Sequence, residues 1–157
     1  MEFSEKVNTL PKEIRDFLMS NEVRLELEKA YISFKAEKSK NTGEISKSVG
    51  LVFVGDVALE NLPNIILTSL GVPENISYGI AYEINKRIFN IFPNYFKNSE
   101  ALLNKWRLLK SDPQISKEEI AKILLEIEPW ILEAEKEKRN QSLKMQQVQE
   151  SLVKATL

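Results

Sequence analysis

The chain has 157 residues, 43% hydrophobic and 29% charged, with a net charge of −1; that length buries a core without staples, and that charge sets up no global field toward nucleic acid or anionic lipid. It contains no cysteine and no histidine, which excludes disulfides, thiolate zinc sites, thiol nucleophiles, Ser-His and Cys-His catalytic pairs and histidine-containing metal sites. Five glycines are few for this length, and the abundance of Glu, Lys, Leu and Ile favours helices over a turn-rich β protein.

The opening MEFSEKVNTLPKEIRDF carries charges throughout and has no apolar h-region, so no signal peptide is expected and the cytoplasm is the expected compartment. A first helix is expected over 11–20, where Pro11 suits the first helical position and Ile14, Phe17 and Leu18 share a face. A second is expected in NEVRLELEKAYISFKAEK, with Leu27, Ala30, Tyr31 and Phe34 at helical spacing. After the loop SKNTG, a third runs from about residue 42 to about 59, placing Ile45, Val49, Val52 and Phe53 on one face and Asp56 off it. The next segment, ENLPNIILTSL, should stop at Gly71, because glycine, an apolar residue and proline in succession end a helix.

Residues 73–92 give the clearest pattern. Ile76, Ile80, Ile84, Ile88 and Phe92 recur at strict four-residue spacing, and Ala81 and Phe89 widen the stripe, as in an amphipathic helix with one broad buried face. Glu83 and Arg87 form an i,i+4 pair in the favourable order. Another helix follows Pro93, with Leu102, Leu103, Trp106 and Leu109, until SDPQ breaks it at 111–114. Ser116 and Glu119 then make a capping-box pattern ahead of IAKILLEI. From about Trp130 the chain reads as one long polar helix. The spacing predicts an all-α, compact multi-helix bundle at 1–110. A helical extension at 111–157 completes it, an acidic helix and then a polar amphipathic one.

The run SVGLVFVGDVALENLPNIILTSLG is the most apolar in the chain. Gly50 and Gly55 have G-x4-G spacing, but a phosphate-binding loop needs Lys and then Ser or Thr after the second glycine. Asp56 and Val57 stand there instead, and an acid at that place repels phosphate. The uninterrupted apolar run ends at Asp56, far short of the roughly 20 residues of a membrane span. The two glycines therefore read as marks of close packing, expected against the 76–92 helix.

Other chemistry is thin. Glu118, Glu119, Glu126 and Glu128 are the densest acids, but they lack calcium-loop spacing, and a di-iron bundle needs Glu-x-x-His pairs. They read as a solvated helix face. Ser151 and Lys154 match S-x-x-K by chance in the polar terminal segment, with no companion motif. No cofactor and no metal are expected.

Charge is uneven. Residues 86–110 hold six basic residues and one acidic one, and 111–137 hold eight acidic and three basic. The basic segment interleaves Lys86, Arg87, Lys97, Lys105, Arg107 and Lys110 with Phe96 and Trp106, a pattern that can bind nucleic acid. Its candidate contact residues are Lys86, Arg87, Lys105, Trp106 and Arg107. The competing reading puts the aromatics in the core and pairs the basic residues with the acidic segment. In the terminal helix, Gln141, Met145, Val148, Leu152 and Ala155 recur at 4-3-4-3 spacing, two heptads of a coiled-coil seam. Met145, Val148 and Leu152 are the candidate contacts for a protein partner or for self-association.

The stretches LPKEIRDFLMSNEVRLELEKAY, VGLVFVGDVALENLPNIILTSLGVP and IAYEINKRIF together resemble an uncharacterised all-helical domain of small bacterial proteins from very reduced genomes. The resemblance spans residues 10–92 and is most specific over Ile80 to Phe89. It implies a small helical module, and it carries over no activity, cofactor or catalytic residue. The expectation is a non-enzymatic protein–protein interaction or assembly module, with nucleic-acid binding through 86–110 as the alternative.

Overall fold

The computed structural model describes residues 2–127 and, beyond them, positions 129, 136 and 140. The described residues form eight α-helices and no strand: α1 (Phe3–Asn8), α2 (Lys12–Leu18), α3 (Asn21–Ser33), α4 (Thr42–Phe53), α5 (Leu62–Leu70), α6 (Glu74–Ile84), α7 (Ser99–Arg107) and α8 (Lys117–Ile127). No described helix is long and apolar enough to cross a membrane. The expected long C-terminal helix lies outside the described residues.

The chain divides into two compact units after Ile120, inside α8. In the first, the segment past α7 is tied to the body by backbone bonds: Ser111 N–H donates to Asn75 O at 3.1 Å and Gln114 N–H to Ser33 O at 2.8 Å. These bonds carry the body past residue 110. Ser116 then caps α8, its Oγ accepting from Glu119 N–H at 3.2 Å. In the second unit Leu124 is buried, while Leu125 and Ile127 are exposed.

α6 is the centre of the first unit and packs on α3, α5 and α7. Ile80, Ile84 and Ile88 are fully buried, and Ile76 and Phe92 are half-buried at the ends of the stripe. A four-residue repeat on a pure α-helix drifts by about 40° at each step. The drift is checked here because Asn85–Phe89 is a π-helical turn, in which Asn90 N–H donates to Asn85 O at 2.8 Å. The wider turn returns Ile88 to the core face. Asn85 is buried and held by α7: its Nδ2 donates to Ser99 O at 3.0 Å, and Ser99 Oγ donates to its Oδ1 at 2.6 Å. Around this column lies an aromatic cluster in which the Phe53 and Phe89 centroids are 4.9 Å apart and those of Phe53 and Phe96 5.1 Å apart.

Helix ends follow backbone chemistry. α5 stops at Gly71, left-handed at φ 63°, as its sequence predicts. α4 stops at Phe53, earlier than the expected 59, because Gly55 is left-handed at φ 84°. Gly55 N–H donates to Val52 O and Asp56 N–H to Leu51 O, at 3.1 and 2.9 Å, a Schellman closure. α3 closes in the same way with Lys35 at the left-handed position, φ 57°, and Ala36 N–H donates to Tyr31 O at 2.9 Å.

The expected role of Gly50 and Gly55 in packing against the 76–92 helix is corrected. Gly50 faces Phe3 of α1, where an added Cβ would lie 3.1 Å from the ring. Gly55 shapes the turn, and a Cβ there meets nothing within 4 Å. The close approach on α6 is made by Gly79, which abuts the Phe34 ring.

Candidate functional site

α1, the end of α2, α3 and α4 enclose an apolar cleft of about 390 Å³. Helical spacing supplies its walls: Phe3 and Val7 from α1, Val23 and Leu27 from α3, and Ser46, Val49 and Gly50 from α4. Leu18, Met19, Arg24 and Glu28 complete the lining. Phe3 is 47% exposed and Met19 77%. The α1 wall is held in two ways. Val7 is buried, and Lys6 Nζ lies 2.7 and 2.8 Å from the two oxygens of Asp56. The acid that follows the second glycine in the sequence thus latches α1 to the turn after α4.

Few polar groups in this cleft are free to orient a ligand. The Ser46 hydroxyl is taken by Tyr31 Oη at 2.9 Å and by Thr42 O at 3.2 Å. Tyr31 is itself buried beneath α4, and burial pushes its phenol well above the ordinary value; the Ser46 hydrogen bond opposes that shift and the charge of Glu28 adds to it. The arrangement suits apolar side chains. A second, shallower apolar depression of about 320 Å³ lies between Pro11, Ile14, Ile91, Phe92, Pro93 and Tyr95.

Sequence reasoning missed this cleft because it missed α1. The signal was present in Phe3, Val7 and Leu10, spaced i, i+4, i+7, but six helical residues are too few to nucleate alone. The wall rests on contacts far along the chain, Phe3 against Gly50 and Lys6 with Asp56, besides the burial of Val7.

The residues expected to contact nucleic acid differ in exposure. Trp106 is 1% exposed and Phe96 is buried, so both aromatics belong to the core and offer no ring face for stacking. Arg87 is half-buried and engaged, with Nε 3.0 Å from Glu83 Oε2 and Nη1 3.2 Å from Glu26 Oε2. Lys86, Lys97, Lys105 and Arg107 are exposed. Among the described residues Arg87 thus pairs with α3 and its own helix, and Lys110 pairs with Asp112 of the acidic segment at 3.8 Å. Sequence reasoning also passed over Tyr82, which carries Arg107 and Lys110 against its ring.

Glu118, Glu119 and Glu126 are exposed, and among the described residues no three acids, histidines or cysteines gather where they could hold a metal ion. Met145, Val148 and Leu152, with Ser151 and Lys154, lie outside the described residues. Comparison with protein-family models, with curated proteins and with solved structures finds no match for this chain.

Proposed function

We propose that this chain is a non-enzymatic protein–protein interaction module, whose body receives the apolar face of a partner's amphipathic helix in the cleft between α1, α3 and α4. One observation carries the reading: the cleft is open, apolar and rimmed by large side chains, Phe3 and Met19, that stay exposed. A small-molecule site needs a few converging polar groups to fix orientation, and here the nearest hydroxyl is already bonded. A helix docking by i, i+3, i+4 anchors needs none, because its gain is the apolar area removed from water. Methionine at the rim adapts to varied partner side chains. The C-terminal seam of Met145, Val148 and Leu152 is a second contact element, read from spacing alone.

The test is affinity purification from the native cell, with and without nuclease, using the wild type, a Met19→Glu/Val23→Glu variant and a chain ending at residue 137. A protein partner retained after nuclease, and lost about tenfold or more with the folded cleft variant, supports the reading. A drop in solution mass with either altered chain identifies the partner as a second copy. Unchanged partners and unchanged mass with the cleft variant overturn it. Nucleic-acid binding through 86–110 is the second reading, supported by the exposure of Lys86, Lys105 and Arg107. Partners lost on nuclease treatment would select it.

A further inference from the structure

The end of α7 and the face of α6 bring three hydrogen-bond donors to one place. Arg107 Nη2 donates to Tyr82 Oη at 3.3 Å, and its guanidinium carbon lies 5.9 Å from the Tyr82 ring centroid. Lys110 Nζ lies 4.9 Å from the same centroid, and its side chain is only 12% exposed. Among the described residues Arg107 has no carboxylate partner. The acid near Lys110 is Asp112, 3.8 Å from Nζ and fully exposed at 101%. Lys86, one turn past Tyr82 in the π-helical turn that follows α6, is exposed as well.

Two cations held against one ring repel each other, and the ring's π face offsets part of that cost while fixing both in place. Tyr82 Oη accepts from Arg107, so its own hydrogen remains to donate elsewhere. Arg107 keeps most of its N–H groups in a planar fork, and Lys110 adds a compact point charge. The cluster thus offers two positive charges and three kinds of donor, and the carboxylate paired with it among the described residues is that of the exposed Asp112. A tetrahedral phosphate oxyanion complements that set, since it accepts from a guanidinium fork, a hydroxyl and an ammonium together: a free phosphate or phosphomonoester of charge near −2 does so most fully, and a phosphodiester of charge −1 does so with its two free oxygens. A carboxylate can accept from the same donors, but it brings a single negative charge and one acceptor oxygen fewer against two cations. We propose that Tyr82, Arg107 and Lys110 form a binding site for a phosphoryl group. The site is independent of the apolar cleft and does not need Trp106 or Arg87.

A phosphoryl group comes either from a free phosphate compound or from a nucleic-acid backbone. The test titrates the full chain with sodium pyrophosphate and, separately, with a dT12 oligonucleotide, reading backbone amide shifts at Tyr82 and at 107–110 at fixed ionic strength. Saturable shifts are expected, with affinity falling about tenfold or more in Arg107→Gln/Lys110→Gln. Tyr82→Phe keeps the ring and removes the hydroxyl donor, and it should weaken binding about three- to tenfold. Asp112→Asn removes the competing acid and should strengthen it. Lys97→Gln removes an exposed charge outside the cluster and should change little. Saturation by pyrophosphate identifies a free phosphate compound, and saturation by dT12 alone identifies the backbone. No saturation by either probe, or equal affinity in the folded double variant, overturns the proposal.

Discussion

The ring of Phe34 occupies the space that any side chain at position 79 would need. An added Cβ on Gly79 would lie 2.7 Å from Phe34 Cε1 and closer still to Cζ. Both residues are buried, so the ring has no solvent to retreat into. Gly79→Ala gains roughly 1 kcal/mol of helix propensity and forces an overlap that costs about 1–3 kcal/mol in a packed core. The expected result in urea denaturation is a net loss of stability, partly restored by Phe34→Leu in the same chain. Gly50→Ala is the contrast: it lies within α4 and its neighbour is the exposed ring of Phe3 at 3.1 Å, which can yield, so the same propensity gain should leave the chain as stable or up to about 1 kcal/mol more stable. Equal losses at 79 and 50 would refute this account of α3–α6 packing.

Two helix ends use the same closure with opposite residues. Gly55 is left-handed at φ 84°, with open space where a Cβ would sit, and Lys35 is left-handed at φ 57°. A non-glycine residue in this region costs about 1–2 kcal/mol. Gly55→Ala should therefore destabilise by about 1 kcal/mol through the backbone alone. Lys35→Gly should stabilise by about 0.5–1 kcal/mol, after the added freedom of the unfolded chain is deducted. Thermal denaturation of the two variants reads both signs, and a Lys35→Gly chain that melts lower contradicts the closure described for α3.

What could be read from the sequence was local. The stop at Gly71, the Ser116 cap and the stripe of Ile80, Ile84 and Ile88 each depend on residues a few positions apart, whereas the helix expected to carry Leu109 and run to 111 ends at Arg107 and leaves Leu109 exposed. What could not be read depends on partners far along the chain. α1 is fixed by Asp56, fifty positions from Lys6. Which glycine makes the close approach is decided by where Phe34 arrives, and nothing near Gly50, Gly55 or Gly79 declares it. Trp106 among basic residues leaves an interface reading open beside the core one, and α7's rotation settles it inward. The four-residue spacing through Asn85 held the one overlooked local clue, since a repeat that should drift and does not requires a wider turn.

The buried Asn85–Ser99 pair joins that turn to α7. Ser99 Oγ lies 2.6 Å from Asn85 Oδ1 and 3.2 Å from Asn90 Oδ1. Ser99→Ala removes the donor and leaves a buried carbonyl oxygen unpaired, at a cost of about 1–3 kcal/mol. Asn85→Leu combined with Ser99→Ala removes both members and should lose less than the two single changes added together. Urea midpoints for the four chains close the cycle. Simple additivity would show that the two side chains do not act as a pair.

Tyr31 gives the fold a dependence on alkaline pH. Its hydroxyl is sealed between α3 and α4, 2.9 Å from Ser46 Oγ and 3.3 Å from Thr42 O. Burial holds its phenol well above the ordinary value, with the Ser46 hydrogen bond opposing and the Glu28 charge adding. The folded chain therefore keeps this proton at a pH where the unfolded chain releases it. Below pH about 10 both states are protonated and the contribution is fully present. Above that, unfolding is coupled to proton release, and stability falls by up to about 1.4 kcal/mol per pH unit. Tyr31→Phe removes this dependence. Near neutral pH it should cost only about 1 kcal/mol, because Ser46 Oγ still donates to Thr42 O at 3.2 Å. Urea denaturation of both chains between pH 7 and about pH 11 should give a steeper alkaline loss for the wild type. Parallel curves would mean that the Tyr31 hydroxyl reaches solvent in the folded chain.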